Sequence, residues 1–224
     1  MDINYTVKYS NRKTLAIIVE RDKSILVRAP KDYDENKIEK AVNKKRFWLY
    51  QKLNHSQKYS DFRSPREFVS GESFLYLGKR YNLDIVEKEI NGIYFSNKFE
   101  ISKSSQSNAS DLFIKWYRQK AKELIIPKVE EYAKNLGVKY DRIFIKDLKF
   151  RWGSCSPKKN LNFNWRLIKA PINVLNYVIV HELAHLIEPN HNDDFWNIIK
   201  IQIPKYIKAK EWLKENGELL EWDI

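Results

Sequence analysis

Residues 181–191 read His-Glu-Leu-Ala-His-Leu-Ile-Glu-Pro-Asn-His, and they limit what this chain can fold into more than any other stretch. Two histidines four apart, His181 and His185, fall on one face of a helix, one turn from each other. Both imidazoles can then address a single ion without backbone strain. Glu182 sits beside the first histidine, where it reaches a water on that ion without being a ligand. This His-Glu-x-x-His spacing is the zinc-hydrolase arrangement, with the glutamate as general base. His191, six residues after His185, would complete a set of three protein ligands that leaves one position for water. Three of the four histidines in the chain fall in this window.

The surrounding residues demand the same reading. From Asn173 to Ile187 the chain is otherwise apolar, with Val174, Leu175, Val178, Ile179, Val180, Leu183, Ala184 and Leu186, so the helix is expected to be buried almost all round. Two histidines and a glutamate are costly in such a helix unless a charge or a metal satisfies them. Pro171 suits the start of this helix, and Pro189 its end. Rival third ligands are Glu188, Glu211 and Glu215, since carboxylates also serve zinc.

With 224 residues the chain can form one large domain or two small ones. The N-terminal residues are polar, unlike a signal peptide, and no apolar run approaches membrane-spanning length. A single cysteine, Cys155, cannot form an internal disulfide. A cytoplasmic protein with no membrane association is expected. The net charge is +12, but it is spread out: 21 basic and 14 acidic residues in 1–110, 20 and 15 in 111–224. Dispersed lysines suit a solvated surface better than a dedicated polyanion site, and a nucleic-acid or nucleotide partner stays open as the second reading.

The alternation of Leu15, Ile17 and Val19, a turn at 21–24, then Ile25 and Val27 predicts a hairpin ending at Ala29-Pro30. A helix over 35–54 follows, with Ile38, Val42, Leu49 and Leu53 on its apolar side and Lys44, Lys45 and Arg46 clustered along it. His55 beyond its end is expected to be exposed and chemically idle. Residues 67–101 read as further strands, with a turn at Gly78 and a tight turn at Asn91-Gly92. Residues 102–110, rich in serine and asparagine, read as a linker. These features predict a β-rich N-terminal region over 1–108 and a catalytic domain over 109–224, an α+β chain overall.

In the second half a long helix after Ser110 should be kinked or split at Pro127 and end at Gly137. Leu161, Phe163, Trp165 and Leu167 alternate with Asn162, Asn164 and Arg166, which reads as a half-buried strand with one polar face. Further helices are expected after Asn192 and from Pro204 to Gly217.

Arg151-Trp152-Gly153-Ser154-Cys155, Asn164-Trp165-Arg166-Leu167, the His-Glu-Leu-Ala-His-Leu run, His191 and Phe195-Trp196 resemble the YgjP-like metallopeptidases. Val27-Arg28-Ala29-Pro30 and Gly78-Lys79-Arg80-Tyr81 extend the resemblance into the first half. The family stands among the zincins, related to the SprT-like and WLM proteases. The resemblance implies a zincin-like catalytic domain, one zinc ion per chain on His181, His185 and His191, and Glu182 as catalytic base. It also implies a polypeptide substrate, hydrolysed by a zinc-activated water. The metzincins share the histidine spacing, but they carry a glycine where this chain has Glu188 and a methionine turn this chain lacks, since its only methionine is Met1.

A tetrahedral oxyanion needs a further hydrogen-bonding or positive group, for which Arg151, Arg166, Tyr177 and Asn164 are candidates. Tyr177 lies one turn before His181, where a packed core tyrosine fits better. Arg166 and Asn164 share the polar face of the strand preceding the metal helix, which in zincins pairs with extended substrate. Cys155 is either a latent zinc ligand or a small buried residue in a tight turn, and the second is the simpler reading. Asp193 and Asp194 either orient a ligand imidazole or cap the next helix. Three alternatives to a peptidase keep the same residues: a metal-dependent nucleotide or polyphosphate hydrolase, a DNA-associated SprT-like protease, and a purely structural metal site. The open coordination position argues against the last.

Overall fold

A computed structural model describes residues 3–19, 24–53, 66–148 and 151–221. The expected turn at 21–23, the end of the helix at residue 54, His55 and Phe150 lie outside the described residues. The chain divides into two compact units, Met1–Ser56 and Gln57–Ile224.

In the first unit β1 (Thr6–Ser10), β2 (Ala16–Val19) and β3 (Ile25–Pro30) form a sheet of order β1-β3-β2. Strands β2 and β3 pair antiparallel, Val19 opposite Ile25, while β1 runs parallel to β3. Helices α1 (Glu35–Lys44) and α2 (Arg46–Leu53) follow, with Asp34 capping α1 by accepting from the Lys37 N–H at 3.1 Å. Where the sequence predicts one helix, the structure has two segments meeting at Lys45. The buried stripe Ile38, Val42, Leu49 would continue through position 45, and an ammonium cannot be buried there unpaired. Lys45 stays exposed and the helix breaks at it.

The second unit opens with β4 (Ser73–Tyr76), β5 (Lys79–Val86), β6 (Tyr94–Phe95) and β7 (Phe99–Ser102), in the order β4-β5-β7-β6. The expected linker is instead a 3-10 turn over Lys103–Asn108 that runs directly into α3 (Ala109–Leu136). The Ser102 hydroxyl is buried and donates to the Ile90 carbonyl, and Gln106 donates to the Phe68 carbonyl at 2.9 Å. Phe74 of β4 stacks on Phe113 of α3 at 4.1 Å between centroids, and Phe99 of β7 packs on the same ring. This shared aromatic core ties the four-stranded sheet to α3. The division accordingly falls at 56/57 and not at the expected 108/109. Pro127 is accommodated within α3, which stays one helix and ends at Gly137, φ 66°.

A second sheet follows from β8 (Ile143–Lys146), β9 (Gly153–Cys155) and β10 (Leu161–Asn164), in the order β8-β10-β9. The alternation expected through Leu167 stops at Asn164, where a 3-10 turn (Trp165–Lys169) takes over. Helices α4 (Ile172–Ala184), α5 (Asp193–Gln202) and α6 (Tyr206–Leu220) complete the unit. Helix α6 runs through Gly217, against which Trp152 packs. Among the described residues no helix is long and apolar enough to cross a membrane.

Candidate metal centre

Helix α4 is held at both ends by its neighbours. At its start the β4–β5 turn fits against Pro171: Gly78 adopts φ 80°, and a Cβ there would stand 2.8 Å from the proline ring. Leu77 and Gly78 N–H groups donate to the Ile168 and Lys169 carbonyls, both at 2.9 Å. Along its length α4 buries Val174, Leu175, Val178, Ile179, Val180, Leu183 and Ala184. Its regular part ends at Ala184, four residues before Glu188, which a following proline keeps out of helical conformation. The Ile187 and Glu188 N–H groups both close on the Ala184 carbonyl, and the Glu188 carboxylate accepts from the Asn190 N–H. Asn192 then caps α5 by accepting from the Phe195 N–H at 3.0 Å. Two caps in succession turn the chain back on itself, and His191 lies between them.

The result is a cluster of three imidazoles. His181, His185 and His191 each offer one nitrogen, and these atoms lie within 4.8 Å of one another. The Nε2 atoms of His181 and His191 are 3.1 Å apart. Two nitrogens on a tetrahedral zinc with Zn–N bonds near 2.0–2.1 Å stand about 3.3 Å apart, so this spacing fits the ion. The His185 Nδ1 faces the Glu188 carbonyl at 3.2 Å. A carbonyl only accepts, so that nitrogen carries the proton and Nε2 keeps its lone pair for a ligand. Burial, then the neighbouring His185, His191 and Lys210, push His181 down to about 3. Burial, then His185 and Lys210, lower His191. Neutral imidazole is the ligating form. Phe195, fully buried, touches all three rings at 4.6–5.0 Å between centroids and backs the cluster with apolar surface. Three nitrogen donors without a carboxylate suit a transition metal, not calcium or magnesium. Glu188, Glu211, Glu215 and Cys155 are outside this cluster.

Glu182 lies on the side facing β9. Its side chain is 6% exposed and passes so close to Gly153 that a Cβ there would stand 2.6 Å from its Cγ and Oε1. Only glycine leaves room for the carboxyl. Burial pushes Glu182 up to about 7, against the opposing pull of Arg151 and of a hydrogen bond from the Cys155 backbone N–H. Burial, then Glu182, raises the Cys155 thiol, whose Sγ lies 3.7 Å from the Ser156 carbonyl.

The other side was not read from the sequence. Trp196 stacks on His191 (5.8 Å, 26°) and on Tyr206 (5.5 Å, 14°), and Tyr206 stacks on Tyr177 (6.3 Å, 19°). Tyr177 is buried, packs edge-on to His181, and is pushed up to about 12, chiefly by burial. Lys210 Nζ stands 4.1 Å from the Trp196 ring centroid. Trp196 was visible beside Phe195 as a paired aromatic; Tyr206 and Lys210 belong to the last helix, and no local spacing links them to the histidines.

Two of the oxyanion candidates are committed elsewhere. Arg166 is buried, with its guanidinium on Asp147 at 2.5 Å, on Glu221 at 3.5 Å and over the Trp165 ring. Asn164 is fully buried, donates to the Leu148 carbonyl at 2.9 Å, and accepts from the Arg166 N–H at 3.0 Å. Both hold the turn into α4. The strand β10, which ends at Asn164, is also not an edge: it is flanked by β8 and β9, so its backbone groups are used within the sheet. The outer strands are β8 and β9, and it is β9 that carries Gly153 and Cys155 beside Glu182. Arg151 is exposed and close enough to act on the Glu182 charge. Asp193 and Asp194 sit in the first turn of α5, where a helix N-terminus favours carboxylates.

A family profile described as "YgjP-like, metallopeptidase domain" matches residues 13–216. The chain belongs to this YgjP-like metallopeptidase family. Two solved structures are also similar. The metallopeptidase zymogen abylysin of Pyrococcus abyssi is 21% identical, with 44% of this chain and 95% of that chain covered and a TM-score of 0.37. The metallopeptidase zymogen jannalysin of Methanocaldococcus jannaschii is 29% identical, with 42% and 96% covered and the same TM-score. At such TM-scores membership rests on the profile and not on the superpositions. Among curated proteins, none matches the chain.

Proposed function

We propose that this YgjP-like metallopeptidase is zinc-dependent, with one ion held by His181, His185 and His191 and with Glu182 as general base in peptide-bond hydrolysis. The observation that carries the reading is the convergence of three imidazole nitrogens within 4.8 Å of one another, with the buried Glu182 carboxyl next to them in the chain. When bound, zinc supplies Lewis acidity that polarises a carbonyl and acidifies a water. The other parts belong to the chain. Glu182 takes a proton from the attacking water onto its carboxylate and returns it to the departing amine nitrogen. A carboxylate held in one place beside the attacking water can serve both transfers. The outer side of β9, apart from the Cys155 N–H that serves Glu182, offers backbone groups to an extended polypeptide, and so aligns a peptide bond beside Glu182. Phe195 and the aromatic stack exclude water behind the histidines. Arg151 and Tyr177 stay as candidates for the oxyanion.

A lone cysteine fits a reducing, cytoplasmic setting. Nucleotide or polyphosphate hydrolysis on the same histidines, and proteolysis directed to DNA, are the competing readings. The experiment is metal analysis with casein cleavage on wild type, His191→Ala and Glu182→Gln. One zinc per chain, lost in His191→Ala and kept in Glu182→Gln, with cleavage abolished in both, is the expected result. Cleavage by a clean Glu182→Gln preparation would end the proposed mechanism, and zinc with hydrolysis of nucleoside triphosphates but not of casein would transfer the site to the nucleotide reading.

A further inference from the structure

The charge arrangement around the histidines is lopsided. Three imidazoles are to hold a divalent cation without any acidic ligand, yet a lysine stands one aromatic ring away. Lys210 Nζ lies over Trp196 at 4.1 Å, and Trp196 is itself stacked on His191. On α6 the neighbours of Lys210 at i±3 and i±4 are Tyr206, Ile207, Leu213 and Lys214, none of them acidic, so no helical ion pair quenches it. A cation beside a cation site costs energy in the free protein. The arrangement becomes favourable when an anion binds alongside, within reach of both. The ring beneath the ammonium holds the long side chain in one direction, which lowers the entropy lost on binding.

We propose that Lys210, carried on the Trp196 ring, recognises a carboxylate of the substrate, so that the site selects acidic peptides or free peptide C-termini. This rests on the metallopeptidase reading above and deepens it. The ammonium is exposed, which suits recognition of a charge that the substrate already bears. An oxyanion that forms only during reaction is served best by donors shielded from water. Lys210 is thus a specificity determinant whose influence falls on binding, while Glu182 on the opposite side governs turnover.

The test measures binding of labelled peptides to the Glu182→Gln protein, metal-free and zinc-loaded, with Lys210 intact or changed to Met or Arg. Peptides come in matched pairs: internal glutamate against glutamine, and free C-terminus against amide. In the parent, at low salt, carboxylate peptides are expected to bind about fivefold tighter than their neutral partners. Methionine keeps the apolar stem on Trp196 and should erase that ratio without changing neutral-peptide affinity or zinc content. Arginine should restore the ratio. Persistence of the preference in metal-free protein separates Lys210 from direct attraction to zinc. A preference in the glutamate pair assigns a side-chain carboxylate, and one in the C-terminal pair a terminal carboxylate; either supports the proposal. Equal loss for acidic and neutral peptides in Lys210→Met, an unchanged ratio in that variant, or no ratio in the parent overturns it. Casein cleavage by wild type on the same preparations keeps the two readings apart. Absent cleavage with an intact Lys210-dependent ratio defeats only the peptidase reading, and cleavage without any ratio defeats only this inference.

Discussion

The two sides of the histidine cluster are built from different materials. Toward β9 the contacts are short and exclusive: a buried carboxyl, a glycine with no room for a methyl group, and a backbone N–H. Toward α6 they are broad and tolerant: stacked rings and a long cation reaching solvent. The first side fixes one carboxyl in one place, which proton transfer requires, since a misplacement of about 1 Å can cost about 10²-fold in rate. The second presents surface that can accept different partners at little cost. On the proposed readings, chemistry and selection are separated across the cluster.

The sharpest way to break this contrast is at Glu182 itself. Glu182→Gln should lower casein turnover by about 10³-fold or more, within the usual range for a lost general base. The same change should stabilise the metal-free protein. Glu182 is raised to about 7 in the fold from an ordinary 4.5, so the folded state holds its proton more tightly than the unfolded one. The associated stability is present below pH 4.5 and is lost as pH rises to 7. Gln carries no such loss. At pH 8 the metal-free variant should therefore be more stable than wild type by up to roughly 3 kcal/mol, the two converging near pH 4, as read from urea unfolding across pH. No gain at pH 8 would mean that Glu182 is not desolvated as described.

Gly153→Ala tests the tight side by sterics alone. Its Cβ would overlap the Glu182 side chain, so turnover should fall by about 10²-fold with zinc content unchanged. Near-wild-type turnover would show that the carboxyl finds its place without β9. The smallest catalytic effect is expected at Arg166. Arg166→Met leaves Asp147 and Glu221 without their guanidinium and should cost about 1–3 kcal/mol in unfolding free energy, while cleavage per folded molecule stays within about twofold. A selective loss of kcat would return Arg166 to the site.

Arg166 also shows where sequence reading stops. The alternation from Leu161 to Leu167 marks a strand correctly only as far as Asn164, and a strand's period says nothing about which neighbour lies beside it. With β8 on one side and β9 on the other, β10 has no free edge, and the polar residues after it turn inward to ion pairs and caps. The serine-rich stretch after Ser102 misleads for a related reason: low hydrophobicity suits a linker and a surface 3-10 turn equally, and the aromatic packing of Phe74, Phe99 and Phe113 decides between them. Lys45 is a further case: its place on the buried stripe is visible in the sequence, yet 35–54 reads as one helix, and the break between α1 and α2 appears only in the structure.

Local spacing, by itself, determined the histidine pair, the glutamate between them, the apolar helix that carries them and the caps that follow. Each depends only on helical periodicity and on proline and asparagine acting within a few residues. Tertiary structure alone decided that β9 is an outer strand, that Gly153 makes room for Glu182, that Arg166 and Asn164 are tied into ion pairs and caps, and that Tyr206 and Lys210 stack up beside Trp196. These contacts join segments tens of residues apart, and they exist only because α4 is packed between β9 on one side and the last helix on the other.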